Sequence, residues 1–114
     1  MLEEYKKYIQ GDKAFIPFGV SEIEWGAFAG CTGLKSIEIP NSVTSIGSYA
    51  FSGCTGLTEI SLFYEDPALA PIAEDTFKAV DLSQITLYVP IGTGFAYRHH
   101  PFFSQFKEVK AVLR

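Results

Sequence analysis

The sequence has no block of lysine or arginine residues and no long apolar run, and both absences exclude classes of protein. Its formal net charge is −4. Nucleic-acid affinity depends on clustered basic side chains, so a nucleic-acid partner is not expected. No apolar run approaches the roughly 18 residues of a membrane-spanning helix, so membrane insertion is not expected either. The first residues lack an apolar core after a basic start, so the chain as given carries no secretory signal.

Residues that carry metal and catalytic chemistry are also scarce. The chain has two cysteines and two histidines, with no further ligands at zinc spacing, so no metal or other cofactor is expected. His99 and His100 are neighbours whose side chains would point about 100° apart on a helix. They are therefore interpreted as a solvent-exposed pair. No serine lies in a Gly-x-Ser-x-Gly turn, so an enzyme is not expected.

Two acidic pairs, Glu65–Asp66 and Glu74–Asp75, raise the question of a calcium site. Neither pair has the alternating oxygen ligands and the glycine of a calcium-binding loop. Solvated loop charge is the favoured interpretation of both.

What the sequence does contain is an internal repeat. Aligning residues 20–39 with residues 43–62, at an offset of 23, gives ten identities in twenty positions. A fixed period of this size is typical of a repeat architecture. Apolar residues recur every two, three or four positions and are broken by proline and glycine, which predicts coils that turn a corner every few residues.

The repeat also predicts the strands and the core. Short strands fit residues 36–39 and 58–62, where β-branched residues alternate with Glu or Ser. The recurring apolar positions are expected to form one continuous buried stack: Leu34, Ile37, Ile39, Val43, Ile46, Phe51, Leu57, Ile60 and Leu62.

We predict one domain over residues 1–114, organised as three to four coils between two end segments. Residues 1–11 are predicted to form an N-terminal helical cap, with a helix from Leu2 to Gln10 that docks on the stack. The coils span residues 14–90, with an inserted loop near 63–71, after which Phe77 follows Phe51 at an offset of 26 instead of 23. Residues 91–114 are predicted to form a C-terminal cap, with a short helix N-capped by Thr93.

The two cysteines occupy equivalent places in adjacent coils. Each is expected to be a small buried residue whose thiol hydrogen-bonds backbone carbonyl groups. Stacked coils would bring Cys31 and Cys54 within disulfide range, so a disulfide remains an alternative. Free thiols are favoured because the repeat explains both residues without a bond.

The unit C-x-x-L-x-x-I-x-I-P-x-x-V-x-x-I-G-x-x-A-F, from Cys31 to Phe51, resembles the leucine-rich repeat of BspA-like bacterial surface proteins. The tail from Leu87 to Phe106 is similar to a closing segment of that family. The resemblance implies an α/β leucine-rich-repeat solenoid. It would be a strand-dominated right-handed superhelix with short parallel strands and few short helices. It further implies an exported, cell-surface protein with an adhesive or protein-binding role and no catalytic residues.

A candidate binding face follows from stacking the coils. In parallel strands, residues one period apart form columns, and alternate positions face solvent. The outward positions expected to contact a ligand are Phe15, Ser36, Glu38, Glu59, Ser61 and Tyr88. Their aromatic rings offer contact area at low entropic cost. The alternative is that Phe15 packs under the N-terminal helix and Tyr88 belongs to the closing segment.

The sequence thus favours a binding module whose partner is a protein or glycan, such as host extracellular matrix or mucin. The alternative is a structural cap or spacer domain with no ligand of its own.

Overall fold

The computed structural model describes residues 1–112 and consists of short strands joined by turns. The predicted C-terminal cap extends to residue 114, so its last two residues lie outside the described part. The strands are β1 (Ile9–Gln10), β2 (Lys13–Phe15), β3 (Glu22–Ile23), β4 (Ser36–Ile39), β5 (Ser45–Ile46), β6 (Glu59–Leu62), β7 (Thr86–Val89) and β8 (Glu108–Ala111). The α-helix α1 spans Gly94–Arg98, and 3-10 helices span Glu3–Tyr8, Pro67–Leu69, Leu82–Gln84 and Phe103–Gln105.

Six of the strands form one sheet in the order β1-β2-β4-β6-β7-β8. The β1–β2 pair is antiparallel, and the remaining pairs are parallel. Strands β3 and β5 form a second, two-stranded parallel sheet. This strand-rich arrangement with few short helices is a repeat fold, as the period in the sequence predicts.

The alternation within each strand decides which side chains enter the core. In β4, Ile37 and Ile39 are buried, while Ser36 and Glu38 lie on the outer side. A proline follows β4 and β7, where its missing N–H does not interrupt the ladder. The carbonyl of Pro40 accepts from Val43 N at 3.2 Å, and that of Pro90 accepts from Thr93 N at 3.1 Å. The same turn therefore leads the chain out of the sheet in both coils.

A column of phenylalanine rings links the coils inside the core. The Phe51 ring stacks on Phe28 at 5.2 Å and on Phe77 at 5.4 Å between ring centroids. Neighbouring backbones also bond, from Phe28 N to the Ala50 carbonyl and from Phe51 N to the Thr76 carbonyl. The predicted alignment of Phe77 with Phe51 is confirmed.

The predicted core is confirmed at eight of its nine positions, and Ile46 is the exception. Ile46 is half-buried, whereas its equivalent Ile23 is fully buried. Strand β5, which carries Ile46, is an edge of the two-stranded sheet within the described residues. The segment after β6 enters the loop containing the Pro67–Leu69 helix and adds no third strand beside β5.

The predicted N-terminal helix is wrong in length and type. It is a 3-10 helix that ends at Tyr8, because Ile9 and Gln10 pair with Ala14 and Lys13 in a hairpin. The docking onto the first coil is present. Tyr5 is buried, and its hydroxyl accepts from Glu24 N at 2.8 Å.

The C-terminal segment holds a strand that the sequence did not predict. Strand β8 pairs in parallel with β7, so this segment extends the sheet. Helix α1 lies where a helix was expected, but the Thr93 side chain does not cap it; its hydroxyl donates to the Pro90 carbonyl at 2.7 Å. Strand β6 also starts at Glu59, one residue later than predicted.

Candidate functional site

The outer side of the large sheet carries all six candidate residues in two columns, which we call the outer sheet face. The strand register aligns Lys13, Ser36, Glu59, Thr86 and Glu108 in one column, and Phe15, Glu38, Ser61, Tyr88 and Lys110 in the other. The β6–β7 register bridges the inserted loop without a slip, because inward Ile60 and Leu87 are also paired. The columns are therefore those that the repeat predicts.

Every candidate side chain on this face is at least partly accessible. Phe15 and Glu59 are exposed, and Ser36, Glu38, Ser61 and Tyr88 are half-buried. Phe15 does not pack under the N-terminal helix. It lines an apolar hollow of about 320 Å³ with Phe18 and Phe63, beside Glu38.

Polar contacts join neighbouring strands across the face. The Tyr88 hydroxyl donates to Glu59 Oε2 at 3.4 Å, and the Thr86 hydroxyl donates to Glu108 Oε1 at 3.4 Å. Lys110 lies 3.5 Å from the same Glu108 carboxylate. These contacts are long and solvent-exposed, so a ligand could displace them at little free-energy cost.

An open hollow of about 310 Å³ lies at the middle of the face. Its lining includes five of the six candidate residues, namely Ser36, Glu38, Glu59, Ser61 and Tyr88. The two serines are the smallest of these side chains, so the hollow lies over them. The structure thus brings the aromatic ring and both carboxylates together around one depression. Phe15 lies apart, in the neighbouring apolar hollow.

The two cysteines are free thiols in unequal surroundings. Cys54 is buried and its Sγ donates to the Phe28 carbonyl at 3.1 Å, as expected of a structural thiol. Burial raises the pKa of Cys54 to about 11, so the thiol stays protonated and unreactive at neutral pH. Cys31 is only half-buried, and its Sγ contacts Met1 Sδ at 3.3 Å. The expectation of burial is therefore wrong for Cys31, because no full coil covers it on the N-terminal side.

The histidines are not an equivalent exposed pair. His99 is exposed, and its ring stacks on Phe95 at 4.0 Å. His100 is half-buried, and its Nδ1 accepts from Phe102 N at 3.1 Å. The prediction of solvent exposure is wrong for His100, which holds the turn leading into the Phe103–Gln105 helix.

Sequence reasoning missed an exposed aromatic pair outside this face. Trp25 is 66% exposed and Tyr49 is 39% exposed, and their ring centroids lie 5.9 Å apart. Both residues occupy turn positions outside the repeating apolar pattern. A sequence signal for this pair was available, because the only tryptophan in the sequence is followed by a tyrosine after nearly one repeat length. Residues at that separation lie side by side in adjacent coils.

Within residues 1–112, no group of three or more His, Cys, Asp or Glu side chains is placed to hold a metal ion. No helix in that range has the length and apolarity required to span a membrane.

Comparison with known proteins places most of the chain in a repeat family. A family model described as BspA type leucine rich repeat region matches residues 5–97 in six copies. No curated protein matches the chain. Among solved structures, the chain is similar to a leucine rich cell surface protein from Faecalibacterium prausnitzii A2-165. The two are 21% identical with a TM-score of 0.49, over 90% of this chain and 32% of the other. The chain thus spans about a third of that structure's length.

Proposed function

Because the chain belongs to the family of BspA-type leucine-rich repeat proteins, we propose that it is a non-enzymatic binding module of a bacterial surface or secreted protein. Its ligand is a protein or glycan, such as host extracellular matrix or mucin. The similar protein from Faecalibacterium prausnitzii is described as a cell surface protein, which agrees with this location.

We propose that the coils wind as a right-handed solenoid with the outer sheet face as its binding surface. The parallel pairing of five successive strands supports this winding. Residues 1–11 and 91–114 are proposed to close its two ends within a single domain.

The hollow over Ser36 and Ser61 is the observation that carries the binding proposal. Ligand sites combine apolar surface with a few polar groups that converge on one place, and this hollow has both. Tyr88 supplies the ring at this hollow, and Glu38 and Glu59 supply oxygen acceptors. Carboxylates of this kind accept hydrogen bonds from sugar hydroxyl groups or from basic protein side chains.

A double substitution tests this face. Tyr88→Ser with Glu38→Lys removes the ring and reverses one charge, so retention on immobilised matrix proteins and mucins should fall at least tenfold. A matched control, Phe95→Ser with Glu65→Lys, likewise replaces an aromatic ring with serine and reverses one charge, but outside the strands of the sheet, and should retain binding. Mucin with its glycans removed serves as a second arm that separates a glycan ligand from a protein ligand.

The alternative is a structural cap or spacer with no ligand. It is favoured if wild-type protein is not retained on any of these supports while circular dichroism shows the native fold. Equal loss in the double variant and its control would also contradict binding at the outer sheet face.

A further inference from the structure

Trp25 and Tyr49 form an exposed aromatic corner on a different part of the molecule. Trp25 follows β3 and Tyr49 follows β5, so the pair sits beside the two-stranded sheet. The two backbones are stacked there, with Gly26 N donating to the Ser48 carbonyl at 3.0 Å and Gly47 N to the Ile23 carbonyl at 2.8 Å. This backbone pairing fixes the two rings next to each other.

Tyr49 adopts a backbone conformation that tyrosine disfavours. Its φ is 61°, and the equivalent residue of the preceding coil is Gly26, with a φ of 65°. The left-handed region is open to glycine but costs roughly 1–2 kcal/mol for other residues. Stability alone would favour glycine in both coils. The tyrosine puts a ring against Trp25 that glycine could not supply.

Acidic residues precede Trp25 in the sequence and also occur, together with Lys78, in the stretch of the next coil that pairs with the Tyr49 turn. Glu22 and Glu24 precede Trp25, and the segments 20–29 and 43–52 that carry the rings contain no lysine or arginine. Tyr49 N donates to the carbonyl of Asp75, which follows Glu74 in the next coil.

The N-terminal helix adds another carboxylate to this region. Glu4 lies near Glu24, and the pKa of Glu24 is raised, first by hydrogen bonding between the two carboxyl groups and then by repulsion between their charges. The two lysines of that helix are engaged elsewhere: Lys6 pairs with Glu3 at 2.9 Å, and Lys7 lies 5.3 Å from the centre of the Tyr8 ring. A positively charged ligand therefore finds a favourable field at the corner.

The angle between the rings selects the shape of that ligand. The ring planes meet at 74°, so a flat molecule cannot lie on both. A rounded cation can touch both rings, and aromatic faces attract cations through their quadrupole. We propose that the Trp25–Tyr49 corner binds a quaternary ammonium group, with the surrounding carboxylates adding long-range attraction.

The experiment uses Trp25 as its own reporter, since it is the only tryptophan in the chain. Titration of the full chain with choline chloride should change the Trp25 fluorescence in a saturable manner. The matched ligand controls are sodium chloride at equal ionic strength and the neutral carbon isostere of choline. Neither control should cause a saturable change in the Trp25 fluorescence. Tyr49→Gly should weaken choline binding about fivefold to tenfold. Tyr49→Phe, which keeps a ring face, should stay within about twofold of wild type.

Phe95→Ser is the matched protein control, because it removes an exposed ring at a distant helix and should leave choline binding unchanged. Tyr49→Gly is expected to fold, since glycine suits the local backbone. Two results would overturn the proposal: an equal response to choline and its neutral isostere, or unchanged choline binding by a folded Tyr49→Gly variant.

A second arm identifies the source of the ammonium group. A trimethyllysine peptide that binds more tightly than choline points to a methylated protein, and the reverse order points to a choline-bearing ligand. Equal binding of the unmodified lysine peptide and its trimethylated form would contradict selection for a quaternary ammonium. None of these results depends on the outer sheet face, so the two proposals fail independently.

Discussion

At the scale of single residues, Phe51 is the middle ring of the phenylalanine column and has a stacked ring on each side. Phe28 and Phe77 cover its two faces, and its side chain is inaccessible to solvent. We predict that Phe51→Ala lowers the free energy of unfolding by about 3–5 kcal/mol. The variant loses the favourable free energy of burying the ring, and it leaves a cavity in the core.

Chemical denaturation measures this loss, with Phe95→Ala as the control. Phe95 is 72% exposed, so its truncation should change the unfolding free energy by less than about 0.5 kcal/mol. A Phe51→Ala effect as small as that of the control would mean that the ring column contributes little to stability.

The buried Cys54 thiol makes stability depend on alkaline pH. Its pKa is raised from 9.0 to about 11 by burial. Below pH 9 the thiol is protonated in both the folded and the unfolded chain, and its contribution to the free energy of unfolding is fully present. As pH rises from 9 to 11, the unfolded chain loses this proton first, so native stability falls by up to about 2–3 kcal/mol.

Cys54→Ser keeps a donor for the Phe28 carbonyl but does not titrate in this range. As pH rises from 9 to 11, the wild type should therefore lose more unfolding free energy than Cys54→Ser does. Denaturation curves at several pH values measure it. A difference that is independent of pH would show that the thiol titrates normally in the folded state.

At the scale of elements, the coils are held together by close backbone approach at glycine. A Cβ on Gly56 would lie 2.4 Å from the Thr32 carbonyl oxygen of the preceding coil, whereas a Cβ on the equivalent Gly33 would meet nothing within 4 Å. The same repeat position is thus crowded in the second coil and open in the first.

This contrast supplies a matched pair of variants. Gly56→Ala should lower the melting temperature and cost about 1–3 kcal/mol, because the coils must separate to accommodate the methyl group. Gly33→Ala should be neutral or stabilising by up to about 1 kcal/mol, through lower entropy of the unfolded chain. Thermal unfolding of both variants tests the stacking, and equal losses would contradict it.

Elements were predictable from sequence where the apolar period repeats and unpredictable where it stops. Strand β4 and the register that aligns Glu38 with Ser61 follow from side chains that must alternate between core and solvent. The segment Ile9–Gln10 continued a helical pattern, but pairing with β2 satisfied its backbone as a strand. Strand β8 escaped detection because its sequence does not repeat the apolar unit. The aromatic corner escaped it because core packing does not specify an outward turn residue.

At the scale of the whole molecule, the C-terminal segment is tied to the middle of the chain by buried hydroxyl groups. The Tyr97 hydroxyl donates to the Tyr64 carbonyl at 2.6 Å, and the Tyr64 hydroxyl donates to the Val43 carbonyl at 2.7 Å. Removal of residues 93–114 would break the first bond and expose the edge of β7 together with the adjoining core.

We predict that the truncated chain self-associates, because an unpaired parallel edge next to apolar surface is a template for pairing with another chain. Light scattering coupled to size-exclusion chromatography measures this. Tyr97→Phe, which removes one hydroxyl group and keeps β8 in place, should remain monomeric if the wild type is. A monomeric truncated chain with an unchanged melting temperature would contradict a closing role for residues 91–114.

The sheet keeps its register although the length of chain between paired strands varies. Glu59 pairs with Ser36 on one side and with Thr86 on the other, and the second connection is longer and includes the Pro67–Leu69 helix. Strand alignment is therefore set by the inward side chains and not by the length of the connection. For a protein engineer, this segment is a natural position for a guest peptide. An epitope or affinity tag inserted next to exposed Leu69 would be displayed at the surface near Asn41 and Thr44, while both neighbouring coils stay in their native alignment.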